Sequence, residues 1–181
     1  QAGLLEVGPD SAGAHPGPIC YGLGGDLPTI TDANALLGRL DTEKFGRGKE
    51  KVSLERIREI FQLKIGDPLG LDAETAASAV LRMANTLMAG AIRMVSISLG
   101  ADPRDFSLFA FGGACPLHAS ALASALGIPE VFVPARPGIT NALGCVVADL
   151  RYDFVRTINT PLDIIETTVL EEMLLKQSFD G

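Results

Sequence analysis

Leu108-Phe109-Ala110-Phe111-Gly112-Gly113-Ala114-Cys115-Pro116-Leu117-His118 is the stretch on which the fold reading turns. An apolar run this dense reads as a strand, starting at Phe106 and buried on both faces. Two glycines at its end remove the Cβ atoms that would keep a ligand away from the main chain. Pro116 suits the first turn of a helix, which runs from about Pro116 to Leu126 and ends at Gly127. The free N–H groups and positive dipole end of such a helix point back at the glycines, where an anion or a nucleotide phosphate is favoured. The motif is neither G-x-G-x-x-G nor a Walker A loop, since no Gly-Lys-Ser/Thr follows. A plain strand-to-helix turn explains the glycines equally well.

Downstream, a second strand is expected over Glu130 to Pro134, then a Pro-Gly loop and an apolar helix from Ala142 to Asp149. Strand, helix, strand, helix at this spacing is an α/β pattern. Asp153 to Ile158 alternates polar and apolar residues like a half-exposed strand, and 162–177 reads as a helix. Upstream, the longest helical signal lies between Asp72, a cap, and Gly100. Its many alanines permit close approach to a neighbour, and its apolar residues spread widely enough to predict burial on more than one side. Leu54, Ile57, Phe61 and Ile65 recur at helical spacing after Ser53, with Asp67-Pro68-Leu69-Gly70 as the stop. Pro28 to Thr31 reads as a short β-branched run, followed by a helix capped by Asp32 or Thr31. The Gly- and Pro-dense segment from Gly8 to Pro28 excludes regular structure; Ile19, Cys20 and Tyr21 in its middle predict an ordered, ligand-facing loop rather than a linker.

The 181 residues suffice for one domain or two small ones, and 47% hydrophobic with 20% charged residues excludes disorder for most of the chain. A mean hydropathy of +0.27 is high for a soluble protein. Asn85, Thr86 and Arg93 interrupt the run Met83 to Met94, so no membrane span and a soluble protein are expected. A net charge of −7 with no basic run argues against nucleic acid and anionic lipid as partners. Three cysteines with no C-x-x-C spacing give neither a disulfide framework nor a zinc ribbon, and fit a reducing, cytoplasmic compartment. Gln1 to Glu6 lacks the pattern of a signal peptide and begins without Met, as a piece of a longer protein would.

Three segments in order, Gly8 through His15-Pro16-Gly17-Pro18-Ile19-Cys20-Tyr21 to Gly22, Pro28-Thr29-Ile30-Thr31-Asp32-Ala33-Asn34, and Phe111-Gly112-Gly113 through Leu117-His118-Ala119, resemble the hydantoinase/oxoprolinase family. Pro137 to Gly144 extends the resemblance. That family includes ATP-dependent N-methylhydantoinase, 5-oxoprolinase and subunits of acetone and acetophenone carboxylases. The resemblance implies part of an actin-like ATPase (ribonuclease H-like) α/β fold, a mixed sheet with flanking helices. Residues 1–157 would be the C-terminal portion of the catalytic core and 158–181 the start of the next segment. It also implies ATP and Mg2+ as cofactors, with Gly112, Gly113 and Ala114 against the adenosine. The family's phosphate loops have no counterpart in the sequence. Activity on a cyclic amide such as a hydantoin or 5-oxoproline is implied, with a partner subunit of the hydantoinase B type and an oligomeric assembly. An assembly or nucleotide-binding subunit of a ketone carboxylase, and a sugar-kinase relative, are the alternatives.

Individual residues follow. Asp32 is the candidate catalytic and metal-positioning carboxylate, with a helix cap as its plainer role. His118, one turn into its helix, is a candidate for reaching phosphate or substrate, or else a structural histidine. Ser11, Gly13 and Tyr21 are candidates for the substrate loop. His15 and Cys20, with Asp10, form a weak metal-ligand spacing. Cys115 replaces a glycine common in the family, and a thiol at a helix N-terminus can become nucleophilic. Leu23 stands where relatives carry arginine, which removes an anion contact.

Overall fold

The computed structural model describes residues 4–45, 52–161 and 164–179. Part of the polar stretch 41–51, the extreme N-terminus and the start of the expected 162–177 helix lie outside the described residues. The chain divides into two compact units, 1–140 and 141–181.

The first unit begins with irregular chain that tightens into one 3-10 turn at Ile19–Tyr21. Helix α1, Ile30–Leu36, follows with Thr29 as its N-cap. Thr29 Oγ1 accepts from the Asp32 N–H at 3.2 Å while the Asp32 carboxylate accepts from the Thr29 N–H at 3.0 Å, a reciprocal capping box. The expected β-branched strand before Asp32 is therefore absent: Ile30 and Thr31 are already helical, because the cap lies at Thr29. After the short helix α2, Thr42–Phe45, Ser53 caps α3, Leu54–Phe61, as its position predicts. The chain then continues through a π turn, Gln62–Gly66, into α4, Asp67–Leu69, and stops only at Gly70 in the left-handed region. Asp67-Pro68 does not end the helical path, since proline is tolerated in a first helical turn.

Helix α5, Ala73–Ser98, has Asp72 as N-cap, with Asp72 Oδ1 accepting from the Thr75 N–H at 2.8 Å. Its buried residues Ala73, Ala76, Ala77, Val80, Leu81 and Ala84 follow helical spacing along one stripe, and buried Ala89, five positions further, lies on another side. The first part of the stripe joins Ile57, Ile60 and Phe61 of α3 and Ala33, Ala35 and Leu36 of α1 in the main core. Ala89 meets Leu122 and Leu126 in a second cluster. The two clusters meet α5 on different sides, as its widely spread apolar residues predict, while Met94, Val95, Ile97 and Leu99 at its C-terminal end are exposed. By length and composition α5 is apolar enough to cross a membrane, a test that core helices also pass, and its N-terminal half serves here as the core helix.

Strand β1, Ser107–Phe109, pairs in parallel with β2, Glu130–Phe132, in the register Ser107 to Glu130, Leu108 to Val131 and Phe109 to Phe132. Between them runs α6, Cys115–Leu126, closed by Gly127 at φ 70°. This is the β-α-β unit read from the sequence. Burial on both faces of the first strand is corrected. Leu108 and Ala110 turn inward, whereas Phe109 stays 45% exposed and stacks on Phe132 with centroids 5.2 Å apart. Strand alternation puts Phe109 and Phe111 on the uncovered face.

The second unit contains most of α7, Thr140–Val147, and then α8, Thr167–Phe179. Both expected helices are present. The expected strand over 153–158 is not; that segment is irregular and exposed, with no strand partner among the described residues to satisfy its ladder.

Phe61 is fully buried where α1, α3 and α5 meet. Phe61→Ala is expected to destabilise the first unit by roughly 3–5 kcal/mol, and urea unfolding followed by far-UV circular dichroism checks it.

Candidate functional site

The Gly8–Pro28 loop is anchored from one point. Asp32, fully buried, accepts four hydrogen bonds on its two carboxylate oxygens: from the Ile19 N–H at 3.1 Å, the Cys20 N–H at 2.8 Å, the Thr29 N–H at 3.0 Å and the Thr29 hydroxyl at 2.7 Å. The loop is ordered, as its apolar middle predicts, because Ile19 and Cys20 enter the main core beside their anchor. Of the roles expected for Asp32, the plainer one is present in a changed form: it is the third-residue partner of the Thr29 capping box rather than the N-cap itself. Three of the four bonds fall on Oδ2 and one on Oδ1, and the carboxylate is turned inward, away from solvent. Asp32 does not follow a strand; it is the third residue of α1. Among the described residues no group of three His, Cys, Asp or Glu side chains could hold a metal ion, which disposes of the His15, Cys20 and Asp10 spacing.

Burial, and then the charge of Asp32, push the Cys20 thiol up to about 12, so it is an inert packing group. Tyr21 ends the 3-10 turn and packs its ring against the main core. Ser11 and Gly13 sit in the exposed part of the loop, where Ser11 Oγ accepts from the Gly13 N–H at 3.1 Å and Gly13 takes φ 63°.

His118 is 4% exposed and lies in a polar contact between three helices. Its Nδ1 is 2.8 Å from Asn85 Oδ1 of α5, and its Nε2 is 3.5 Å from Asn34 Nδ2 of α1. Burial and the positive charge of Arg39 hold the imidazole below its ordinary pKa. The structure thus puts His118 inside the helix packing, the structural one of the two roles read for it. The sequence shows Asn34 in a motif and Asn85 as an interruption of the apolar run 83–94, and assigns neither a task. Each is flagged only as a polar residue in an apolar helical setting, which does not name its partner.

The glycine corner is where the sequence places it. The Ala110 N–H donates to the Phe132 carbonyl at 2.9 Å, and the Gly112 N–H donates to the Pro137 carbonyl at 2.8 Å, so the Pro-Gly loop closes one side of the corner. Gly112 takes φ 84°, which favours glycine. A Cβ built on either Gly112 or Gly113 would meet no heavy atom within 4 Å. The space beside both glycines is open. The helix end beside it offers fewer donors than expected. Pro116 has no N–H, and the Leu117 N–H is turned onto the Ala114 carbonyl at 3.0 Å. Ala114 supplies no side-chain cap, and Cys115 is exposed at the helix start.

The three sequence segments thus converge on two sides of one helical core: a loop anchored by α1, and a bare strand end leading into α6. A family model for hydantoinase/oxoprolinase matches residues 1–154. The chain belongs to the hydantoinase/oxoprolinase family. Within that family it is 42% identical over 161 residues to caprolactamase subunit alpha of Pseudomonas jessenii, covering 89% of this chain and 23% of that one. It is 39% identical over 163 residues to 5-oxoprolinase PfmaA of Pestalotiopsis fici, covering 84% and 13%. With the acetone carboxylase beta subunit of Xanthobacter autotrophicus it shares 34% identity over 166 residues, covering 90% and 23%. The crystal structure of the ATP-dependent caprolactamase of Pseudomonas jessenii superposes with a TM-score of 0.79 at 37% identity, over 99% of this chain and 26% of that one. The chain therefore spans about a quarter or less of these hydantoinase/oxoprolinase relatives, and its mixed α/β fold with a small parallel sheet agrees with an ATPase-like architecture.

Two outcomes follow from the anchored loop and the buried histidine. Asp32→Ala leaves two buried N–H groups unpaired and is expected to cost roughly 3 kcal/mol, seen as a lower urea midpoint, and to speed alkylation of Cys20, which in the parent should lag behind exposed Cys115 and Cys145. Because the folded state lowers the His118 pKa, folding binds fewer protons at this site than the unfolded chain does. Its contribution to stability is complete above the ordinary histidine pKa and declines as pH falls below about 6.5, a decline that should be smaller in His118→Gln.

Proposed function

We propose that this chain is the part of an ATP-dependent subunit that receives the adenosine of the nucleotide, in an enzyme that activates a cyclic amide such as a hydantoin or 5-oxoproline before opening its ring. The observation that carries this reading is the bare Gly112–Gly113 backbone, with nothing within 4 Å of either hypothetical Cβ, at the end of β1 and the start of α6. Gly112, Gly113 and Ala114 would lie against the base and ribose. ATP supplies a phosphoryl group for the carbonyl oxygen of the ring amide, which turns a resonance-stabilised poor electrophile into one with a good leaving group. Stabilising charge and holding groups in line are the main demands of such a transfer, and a protein nucleophile is not required.

The printed names of the relatives support the reading. Caprolactamase and 5-oxoprolinase are named for cyclic amides, and one solved relative is titled ATP-dependent. The described residues of this chain offer Mg2+ no ready site: Asp32 is fully buried with both oxygens hydrogen-bonded, and no group of three His, Cys, Asp or Glu side chains could hold a metal ion. A metal that accompanies ATP would take its protein ligands from elsewhere. What Asp32 and the capping box contribute is position, since they hold the loop carrying Ser11, Gly13 and Tyr21 as the candidate wall of the substrate site.

The proposed assembly is cytoplasmic and oligomeric with a partner subunit of the hydantoinase B type; relatives named as alpha and beta subunits support a partner. A second reading, a nucleotide-binding or assembly part of a ketone carboxylase, is favoured by the likeness to the acetone carboxylase beta subunit and by the apolar surface left exposed on the outer face of β1 and β2.

Gly113 separates the possibilities, because its φ lies outside the left-handed region and a side chain there meets open space. In the full-length subunit with its partner, Gly113→Val is expected to leave stability within about 0.5 kcal/mol of the parent and to raise KM for ATP at least about tenfold. ADP release that depends on an added cyclic amide supports the hydrolase, and dependence on a ketone and bicarbonate supports the carboxylase. An unchanged KM for ATP removes the glycine corner from the nucleotide site.

A further inference from the structure

The ring of His118 is held by two amides, and their chemistry determines where its proton sits. Asn34 Nδ2 donates to the Ile30 carbonyl one turn back in α1, at 3.0 Å. Rotating the amide by half a turn would set Oδ1 against that carbonyl, two acceptors face to face, so the direction of the Asn34 amide is determined. Its second N–H is then the group that faces His118 Nε2 at 3.5 Å, and Nε2 is the acceptor. The proton is on Nδ1, which donates to Asn85 Oδ1 at the shorter distance of 2.8 Å. Asn34 is 2% exposed, and its own Oδ1 finds no hydrogen-bond partner among the described residues. Leaving a buried acceptor unpaired costs about 1–3 kcal/mol, a cost borne by an amide that presents its donor to Ile30 and His118. The amides from α1 and α5 are neutral, and the charged group bearing on the ring is Arg39, just beyond α1. Burial, the Arg39 charge and the Asn34 N–H facing Nε2 oppose an imidazolium.

These contacts join elements with different tasks. Asn34 lies two residues after Asp32, which anchors the Gly-Pro loop. His118 is the fourth residue of α6, five positions after Gly113. Asn85 is in the middle of the core helix.

We propose that His118 is a positioning residue: held as the neutral Nδ1–H tautomer between Asn34 and Asn85, it sets the first turn of α6, and with it the Gly112–Gly113 corner, against α1 and the loop that Asp32 anchors. The link to nucleotide binding rests on the function proposed above; the tautomer and the three-helix contact do not.

The test is nitrogen NMR of the chain labelled at histidine, where His15, exposed and outside the core, is the internal control. His118 is expected to show a protonated Nδ1 and an unprotonated Nε2 from neutral pH down to below the ordinary histidine pKa. Asn85→Leu removes the acceptor and should move the proton to Nε2. Asn85→Asp keeps an acceptor, should retain Nδ1–H, and should raise the pH at which the ring titrates. An Nε2–H signal in the parent, or an unchanged tautomer in Asn85→Leu, overturns the proposal; if Asn85→Leu does not fold, the parent spectrum and Asn85→Asp decide it. In the full-length subunit, Asn85→Leu is expected to raise KM for ATP about 3- to 30-fold with kcat less affected, and Asn85→Asp to recover most of that loss. A shifted tautomer with unchanged KM overturns the positioning role, whereas a parent with no ATP dependence overturns the preceding functional reading and leaves the NMR outcome to decide the contact.

Discussion

A single buried carboxylate organises the N-terminal third of the molecule. Asp32 gathers the N–H groups of Ile19 and Cys20 from a loop more than ten residues upstream and, through the same oxygens, completes the cap of its own helix. Hydrogen bonds to a charged acceptor are stronger than neutral ones, and each of these donors would otherwise be unpaired in an apolar setting. A segment dense in glycine and proline cannot hold itself by a backbone ladder. One side chain supplies the fixed point, and the burial of Ile19 and Cys20 against α1 and α3 supplies the rest.

From that point the same helix reaches in the other direction. Ala33, Ala35 and Leu36 pack on the alanine stripe of α5, whose small side chains let the two helices approach closely, while Asn34 turns to His118 on α6. The loop on one side and the glycine corner on the other are thus referred to a common frame of three helices. In the ATPase reading this matters because phosphoryl transfer depends on placement more than on any one reactive side chain. A loop that borders one reactant and a corner that borders the other have to keep their spacing, and a polar contact of defined direction does this better than apolar packing, which tolerates sliding.

Much of the frame was legible in the sequence. Ser53 and Asp72 as caps, Gly127 as a helix stop, and the strand-helix-strand order around Gly112–Gly113 were each readable, because caps, stops and strand periodicity act within a few residues. What the sequence left open shares a cause. Asp32 looked like a catalytic acid after a strand, yet whether a carboxylate is free or engaged depends on donors 12 and 13 residues away. His118 looked like a ligand-reaching group, yet its partners are 84 and 33 residues distant. Residues 153–158 alternate like a strand, but a strand exists only where another strand accepts its hydrogen bonds.

The local chemistry of the chain therefore determined where helices begin and end, where the backbone is stripped of side chains, and to which family those motifs belong. Only the tertiary structure decided which polar groups are occupied. A residue type carries a capacity to donate, accept or ionise, and folding assigns that capacity to a partner. Asp32 spends its acceptors on the loop and His118 its two nitrogens on asparagines, whereas Gly112 and Gly113, which have no side chain to commit, are left open.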